Sequence, residues 1–232
     1  MVIQVAIPRA GGRQMAAYQA LPEGEGPFPG VIVIHEIFGL NDNIRGIAER
    51  FARQGYAALA VALFSTGNRA VCLLRIIHGM ILRPLRNGTL AELQTAVDFF
   101  RRQPHTDTNR VGVVGYCMGG TYALQLACTD ADLRVASVYY GMNPRPLEAV
   151  ARTCPIVGSY PEKDFTANAA RQLEEALKTH NVPHDIKIYD GAKHSFFNDQ
   201  GAAYDEKAAD DSWARTLSFF HIHLKHGRSQ SA

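Results

Sequence analysis

The sequence predicts an α/β fold, with a mainly parallel sheet and helices on both faces. Three observations point there. Runs such as Val31-Ile32-Val33-Ile34 and Val111-Gly112-Val113-Val114 are continuously apolar or glycine, as expected of strands buried on both sides. Stretches with helical apolar spacing lie between such runs. The two kinds of segment alternate along the chain, the pattern of strand–helix–strand crossovers.

In chain order, Val2 to Ile7 and Gln14 to Ala20 read as strands joined by a turn at Gly11-Gly12. Leu21 to Gly30 is rich in proline and glycine and reads as a surface loop. Val31 to Ile34 is a buried strand that runs into His35-Glu36-Ile37-Phe38-Gly39. Asp42 or Asn43 is expected to cap a helix reaching Gln54, with Ile44, Ile47, Ala48 and Phe51 on one face. Tyr56 to Val61 is the next strand. Leu63 to Arg86 is the least regular part, with Arg69, Arg75, Arg83 and Arg86 set among aliphatic residues. It is expected to be part helical, to cross one end of the sheet and to wall a pocket, with its arginines mostly solvated. Thr89 to Gln103 follows as an amphipathic helix. Val111 to Tyr116 and Thr121 to Ala127 then form a strand and a helix. Val135 to Tyr140, Pro155 to Ser159 and His184 to Tyr189 complete the strands. Ala167 to His180 and Ala203 to Leu224 complete the helices. Residues 1–226 read as one domain, and 227–232 as a disordered tail.

Composition excludes several classes. Net charge is +2 with the basic residues scattered, which gives no footprint for nucleic acid. No apolar run is long enough to span a bilayer, and Met1 to Pro8 lacks the shape of a signal peptide. Cys72, Cys117, Cys128 and Cys154 show neither disulfide nor metal spacing. The expectations are a cytoplasmic, reducing setting, no metal, no organic cofactor, no nucleic-acid or membrane partner, and a monomer or homodimer.

The chemistry begins at Gly115-Tyr116-Cys117-Met118-Gly119. This is the G-x-S-x-G nucleophile elbow with cysteine in place of serine. The helix that follows directs its free N–H groups and positive end at the thiol, which favours the thiolate. A free cysteine beside an apolar strand is usually only a small buried hydrophobe. The rest of the chain argues against that reading here. Glu36, Cys117, Asp164 and His194 each lie just past a predicted strand, where open α/β sheets collect catalytic groups. After the elbow the order is nucleophile, acid, base, the chain order of the α/β-hydrolase triad. Asp164 could instead be a residue of a helix N-terminus, with Glu162 as the competing acid. His194 could be an ordinary loop residue. His35, His221 and His223 read as structural, packing or surface residues.

The segments Val31 to Leu40, Gly115 to Gly120, Asp164 and His194-Ser195-Phe196 together resemble the dienelactone hydrolase family of α/β-hydrolases. The likeness extends from about Val2 to Leu224. It implies Cys117, Asp164 and His194 as the triad, and Glu36 as an acid that interacts with the thiol and accepts its proton when substrate is bound. It implies hydrolysis of a carboxylic ester or lactone, a small-molecule substrate, through an acyl-enzyme. The backbone N–H groups of Ile37 and Met118 are the expected oxyanion donors. One departure concerns substrate. Family members hold a substrate carboxylate with arginines, one of them soon after the histidine, where this chain has Phe197-Asn198-Asp199. Arg69, Arg75, Ser195 and Asn198 are therefore the candidate substrate contacts. Asn198 favours a general small-ester hydrolase as the alternative. A binding module that kept the fold, or a redox-sensing thiol, are the remaining readings.

Overall fold

The computed structural model describes residues 1–9, 12–64 and 69–225. Its centre is one eight-stranded sheet. The strands are β1 (Val2–Pro8), β2 (Gln14–Ala20), β3 (Phe28–Ile34), β4 (Ala57–Val61), β5 (Thr106–Tyr116), β6 (Ala136–Tyr139), β7 (Ile156–Lys163) and β8 (His184–Lys193). The helices are α1 (Asp42–Arg53), α2 (Arg69–Leu82), α3 (Gly88–Arg101), α4 (Met118–Thr129), α5 (Thr166–Thr179) and α6 (Glu206–Phe220). Strand order is β1-β2-β4-β3-β5-β6-β7-β8. β1 and β2 join antiparallel at one edge, and every pairing from β4 to β8 is parallel.

Two apolar layers enclose the sheet. Along β3, Ile32 and Ile34 face a core shared with α3, α4 and α5, while Val31 and Val33 face one shared with α1 and α6. This period-two division of a wholly apolar run is what burial on both faces demands. Chain reversal beside β3 places β4 on one side and β5 on the other, and ligand crevices form at such switch points. Glu36, Cys117, Asp164 and His194 follow β3, β5, β7 and β8 at the carboxyl edge of this parallel set. Among the described residues, no helix is long and apolar enough to cross a membrane.

Several boundaries differ from expectation for local reasons. Asn41, not Asp42 or Asn43, caps α1, its side chain accepting from the Ile44 amide at 3.1 Å. Asn87 caps α3 in the same way through Leu90. Asp205 caps α6 through Ala208, so that helix starts later than expected, and it ends in a π turn at His221–Lys225. The segment Leu63 to Arg86, expected to be part helical, holds α2, whose 14 regular residues were not given bounds by the sequence. Residues 227–232 and Gly11 lie outside the described residues.

The junction of β5 and α4 is the tightest place in the fold. A Cβ on Gly115 would stand 2.0 Å from the Gly119 carbonyl oxygen, and one on Gly119 would stand 2.3 Å from the Ile34 carbonyl oxygen. These are backbone atoms of the central strands and the elbow, so neither can yield cheaply. Gly119→Ala is expected to lower stability by on the order of 3 kcal/mol. Gly46, inside α1, has open space around its missing Cβ. Gly46→Ala is expected to raise stability by about 0.5–1 kcal/mol. Urea midpoints of the two variants should move in opposite directions.

Candidate active site

Cys117 stands between β5 and α4 with φ 55 and ψ −117, a strained backbone for a residue with a side chain. Its amide donates to the Tyr139 carbonyl of β6, and its carbonyl accepts from Thr121 of α4. The sulfur accepts from the Met118 amide, which favours the thiolate. Two stronger influences oppose it. Burial and then the charge of Glu36 push the thiol up to about 12. The helix start therefore does not win at this cysteine, and the resting group is a thiol.

Glu36 is buried at the end of the turn from β3, and both its oxygens are engaged. Tyr140 donates its hydroxyl to Oε1 at 3.0 Å, and Asn198 donates Nδ2 to Oε2 at 3.3 Å. Burial and the neighbouring Glu36 charge raise the Tyr140 hydroxyl well above its ordinary value, so it stays a donor. His35 fixes the backbone behind this carboxylate. Its Nε2 accepts from the Leu63 amide at 3.0 Å, which places the ring proton on Nδ1, 2.5 Å from the Glu36 carbonyl. Burial pushes the imidazole down to about 4, so His35 is neutral.

Asp164 follows β7, and His194 follows β8. His194 Nδ1 and Asp164 Oδ2 are 2.7 Å apart. Asp164 also accepts from the Thr166 hydroxyl and the Phe165 amide at the start of α5. With Nδ1 donating to the acid, Nε2 of His194 is left to take or give a proton. The imidazole contacts two rings, Phe165 stacked at 5.5 Å and Tyr140 tilted at 5.0 Å between centroids. Glu162, the competing acid, is exposed and accepts from the Gly191 amide instead.

The arrangement unites a thiol, an acid-paired imidazole, and a buried carboxylate held by two donors. Such a set can form and hydrolyse a covalent acyl intermediate. Among the described residues, no group of three or more histidine, cysteine or acidic side chains could hold a metal ion. The Met118 amide points at the thiol, and Ile37 sits at the turn that follows Glu36.

The expected substrate contacts divide. Arg69 donates to the Ile37 carbonyl at 3.0 Å and so stands beside the Glu36 turn. Arg75 turns to Glu92 at 3.4 Å, in an ion cluster with Arg9. Asn198 is buried and turned to Glu36, with its own Oδ1 accepting from Gln200, so it is not the outward donor expected of a substrate contact. Ser195 adjoins His194 in a left-handed backbone conformation, φ 64. Sequence reading missed Tyr140, Thr166 and Phe165. Tyr140 follows β6, and the strand-end rule that found the other four misses it only because the expected strand included it. A cavity of about 140 Å³ beside the first turn of α4 is lined by Met80, Ile81, Thr121, Met142, Asn143 and Arg145. This bears out α2 as one wall of a pocket and adds Arg145, a cation the sequence did not single out.

Comparison with known proteins follows the same lines. The family model described as the dienelactone hydrolase family matches residues 15–224. A protein of Saccharolobus solfataricus named "Putative carboxymethylenebutenolidase" is 34% identical over 244 positions, covering 90% of this chain and 94% of that protein. One of the same name from Synechocystis is 32% identical, covering 91% and 93%. The crystal structure of a dienelactone hydrolase-like promiscuous phosphotriesterase from metagenomic libraries superposes with a TM-score of 0.85 at 25% identity, covering 97% and 98%. The chain belongs to the dienelactone hydrolase family, and is an α/β-hydrolase acting on ester or lactone bonds.

Proposed function

We propose that Cys117 is the nucleophile of this hydrolase, with His194 as the base and Asp164 as the residue that orients it. The observation that carries the reading is the 2.7 Å pairing of His194 Nδ1 with Asp164, at the same sheet edge as the strained Cys117. Sγ attacks the carbonyl carbon, its proton passes to His194 Nε2, and the carbonyl electrons form an oxyanion. The amides of Met118 and Ile37 are its donors. The oxyanion collapses, the ester C–O bond breaks, and the leaving oxygen takes the proton from His194. Water, deprotonated by the same Nε2, then attacks the thioester and releases Cys117 as a thiol.

Glu36 makes this cycle depend on substrate. With the thiol held so far above its ordinary range by burial and Glu36, the free enzyme rests as the thiol near neutral pH. A free enzyme with so little thiolate is protected from adventitious alkylation and oxidation. Activation then belongs to the substrate complex, where the carboxylate or His194 accepts the proton. Glu36→Gln removes the larger of the two carboxylate charges, Glu36 and Asp164, that hold the thiol up, so its pKa falls while burial keeps it above the usual range. Iodoacetamide labelling of Cys117 at pH 8 is expected to run several-fold faster in the variant. Equal rates would remove Glu36 from control of the thiol.

The acid assignment is tested by a pair of substitutions. Asp164→Asn is expected to lower kcat by roughly 10³-fold or more, with little change in unfolding midpoint, while Glu162→Gln stays near wild type. A dead Glu162→Gln beside an active Asp164→Asn would reverse the assignment. Cys117→Ala is expected to lose turnover of a chromogenic short-chain ester entirely.

A general small-ester hydrolase is the second reading, favoured by the commitment of Arg75 to Glu92 and of Asn198 to Glu36. Hydrogen bonds to charged partners are worth roughly 1.5–3 kcal/mol and neutral ones about 0.5–1.5. Losing a bidentate arginine therefore costs something like tenfold in discrimination. The ratio of kcat/KM for a carboxylate-bearing lactone over its neutral methyl ester is expected to be modest. A thousandfold preference for the acid would point to a dedicated cation and the strict lactone reading.

A further inference from the structure

Phe165 is left in solvent beside the candidate base. It is 69% exposed, although Thr166 and Ala167, the next residues, turn inward. Its backbone is held by the acid, the Phe165 amide donating to Asp164 Oδ1 at 2.8 Å. Any residue could supply that amide, so the bond does not account for the ring. The ring stacks on the His194 imidazole, with 17° between the planes and 5.5 Å between centroids. One face lies against the imidazole, and most of the remainder meets solvent. Tyr140, the other ring on His194, is buried, and its hydroxyl is committed to Glu36. Of the two aromatic neighbours of His194, Phe165 alone is open to an incoming molecule.

The chemistry of the proposed cycle says which part of a substrate arrives there. The amides of Ile37 and Met118 draw the carbonyl oxygen towards the Glu36 turn and the start of α4. As the ester C–O bond breaks, the leaving oxygen takes its proton from His194 Nε2, so it must come within hydrogen-bond reach of that nitrogen. The atoms attached to the leaving oxygen therefore pass beside the imidazole and the ring stacked on it. A phenyl ring offers them no hydrogen bond, only an apolar surface. The partner that uses such a surface best is another flat apolar group, offset or edge-on, with centroids roughly 4.5–7 Å apart.

We propose that Phe165 is the platform for the leaving group, and that the preferred substrates are esters of arylmethyl alcohols or phenols. The proposal rests on His194 as the base that serves the leaving oxygen. An open-chain ester uses the platform most fully, because in a lactone the leaving oxygen stays tied to the acyl part. Phe165 thereby determines specificity without touching the reacting carbonyl. Its fixed backbone matters for this role, since the same Asp164 carboxylate accepts from the Phe165 amide and pairs with His194. Ring and imidazole are held by one acid, so their spacing is set before substrate arrives.

The test compares benzyl acetate with ethyl acetate. Their alcohols are of similar acidity and both esters pass through the same acetyl-enzyme, so the ratio of kcat/KM reads how the leaving group is bound. Wild type is expected to favour benzyl acetate roughly tenfold. In Phe165→Ala that ratio should fall most of the way to one, with an unchanged unfolding midpoint. Phe165→Tyr, which keeps the ring, should keep the ratio. The proposal is overturned if wild type shows no preference, or if Phe165→Ala leaves the ratio as it is. An equal slowing of both esters is such a case, and would make the ring a support for His194 alone. His194→Gln, expected to be inactive on both esters, separates this proposal from the reading beneath it. An active His194→Gln would remove the base and the platform together. An inactive one beside an unchanged ratio in Phe165→Ala would remove the platform only.

Discussion

The contact on which the site depends is backbone against backbone. The first turn of α4 is pressed into the carboxyl ends of β3, β5 and β6 so closely that no side-chain carbon fits at Gly115 or Gly119. The atoms that exclude a Cβ at Gly119 are the carbonyl oxygens of Ile34 and His35. These residues lead directly into Glu36. The amide of Cys117 is bonded to Tyr139, which leads directly into Tyr140. One close approach therefore sets the strained cysteine, the buried carboxylate and the tyrosine that holds it. Rigid main chain, rather than flexible side chains, carries the positioning, as precise catalytic geometry requires.

Electrostatics at the site is a contest that the structure decides against the thiolate. A helix start and the Met118 amide favour the anion, but their effect is local and modest. Burial and a carboxylate fixed by two donors outweigh them. Because Tyr140 and Asn198 hold both oxygens of Glu36, the opposing charge cannot swing away at no cost. For the proposed nucleophile to act, either a bound substrate disturbs those two bonds or the proton leaves through His194. On the proposed assignment of Cys117 as nucleophile, the hydrogen bonds to Glu36 would connect substrate binding to its chemistry through residues that need not touch the reacting carbonyl.

How far the sequence disclosed this depended on how each residue declares itself. The parallel sheet was legible because its strands are apolar on both faces, and the four strand-end residues were legible because each follows such a run. The extent of α2, in a segment expected only to be part helical, was not. A helix with one apolar face in the core and another in solvent lacks the polar–apolar period that announces a helix, and interspersed arginines blur it further. Asn41-Asp42-Asn43 offers three capping side chains in succession, and only the geometry chooses the first. Asn198 looked available because the sequence cannot show that its amide already serves Glu36. Tyr140 was missed because the expected strand, Val135 to Tyr140, ran one residue past the observed end of β6 at Tyr139, where the backbone turns to a φ of 40.

His35 gives the site a vulnerability to acid. The folded chain holds this imidazole near 4, far below its ordinary value of 6.5, because burial disfavours the charged ring. The unfolded chain therefore binds a proton that the folded chain refuses between those two values. The stability contributed by neutral His35 is fully present above about 6.5 and is lost as pH falls towards 4, at up to about 1.4 kcal/mol per pH unit. Protonation would also put a hydrogen on Nε2, where the Leu63 amide donates, and so break the link between the Glu36 turn and the end of β4. Acid thus acts on the loop that carries the Glu36 carboxylate through a residue that takes no part in the proposed chemistry, so the shape of the site depends on keeping one buried ring uncharged.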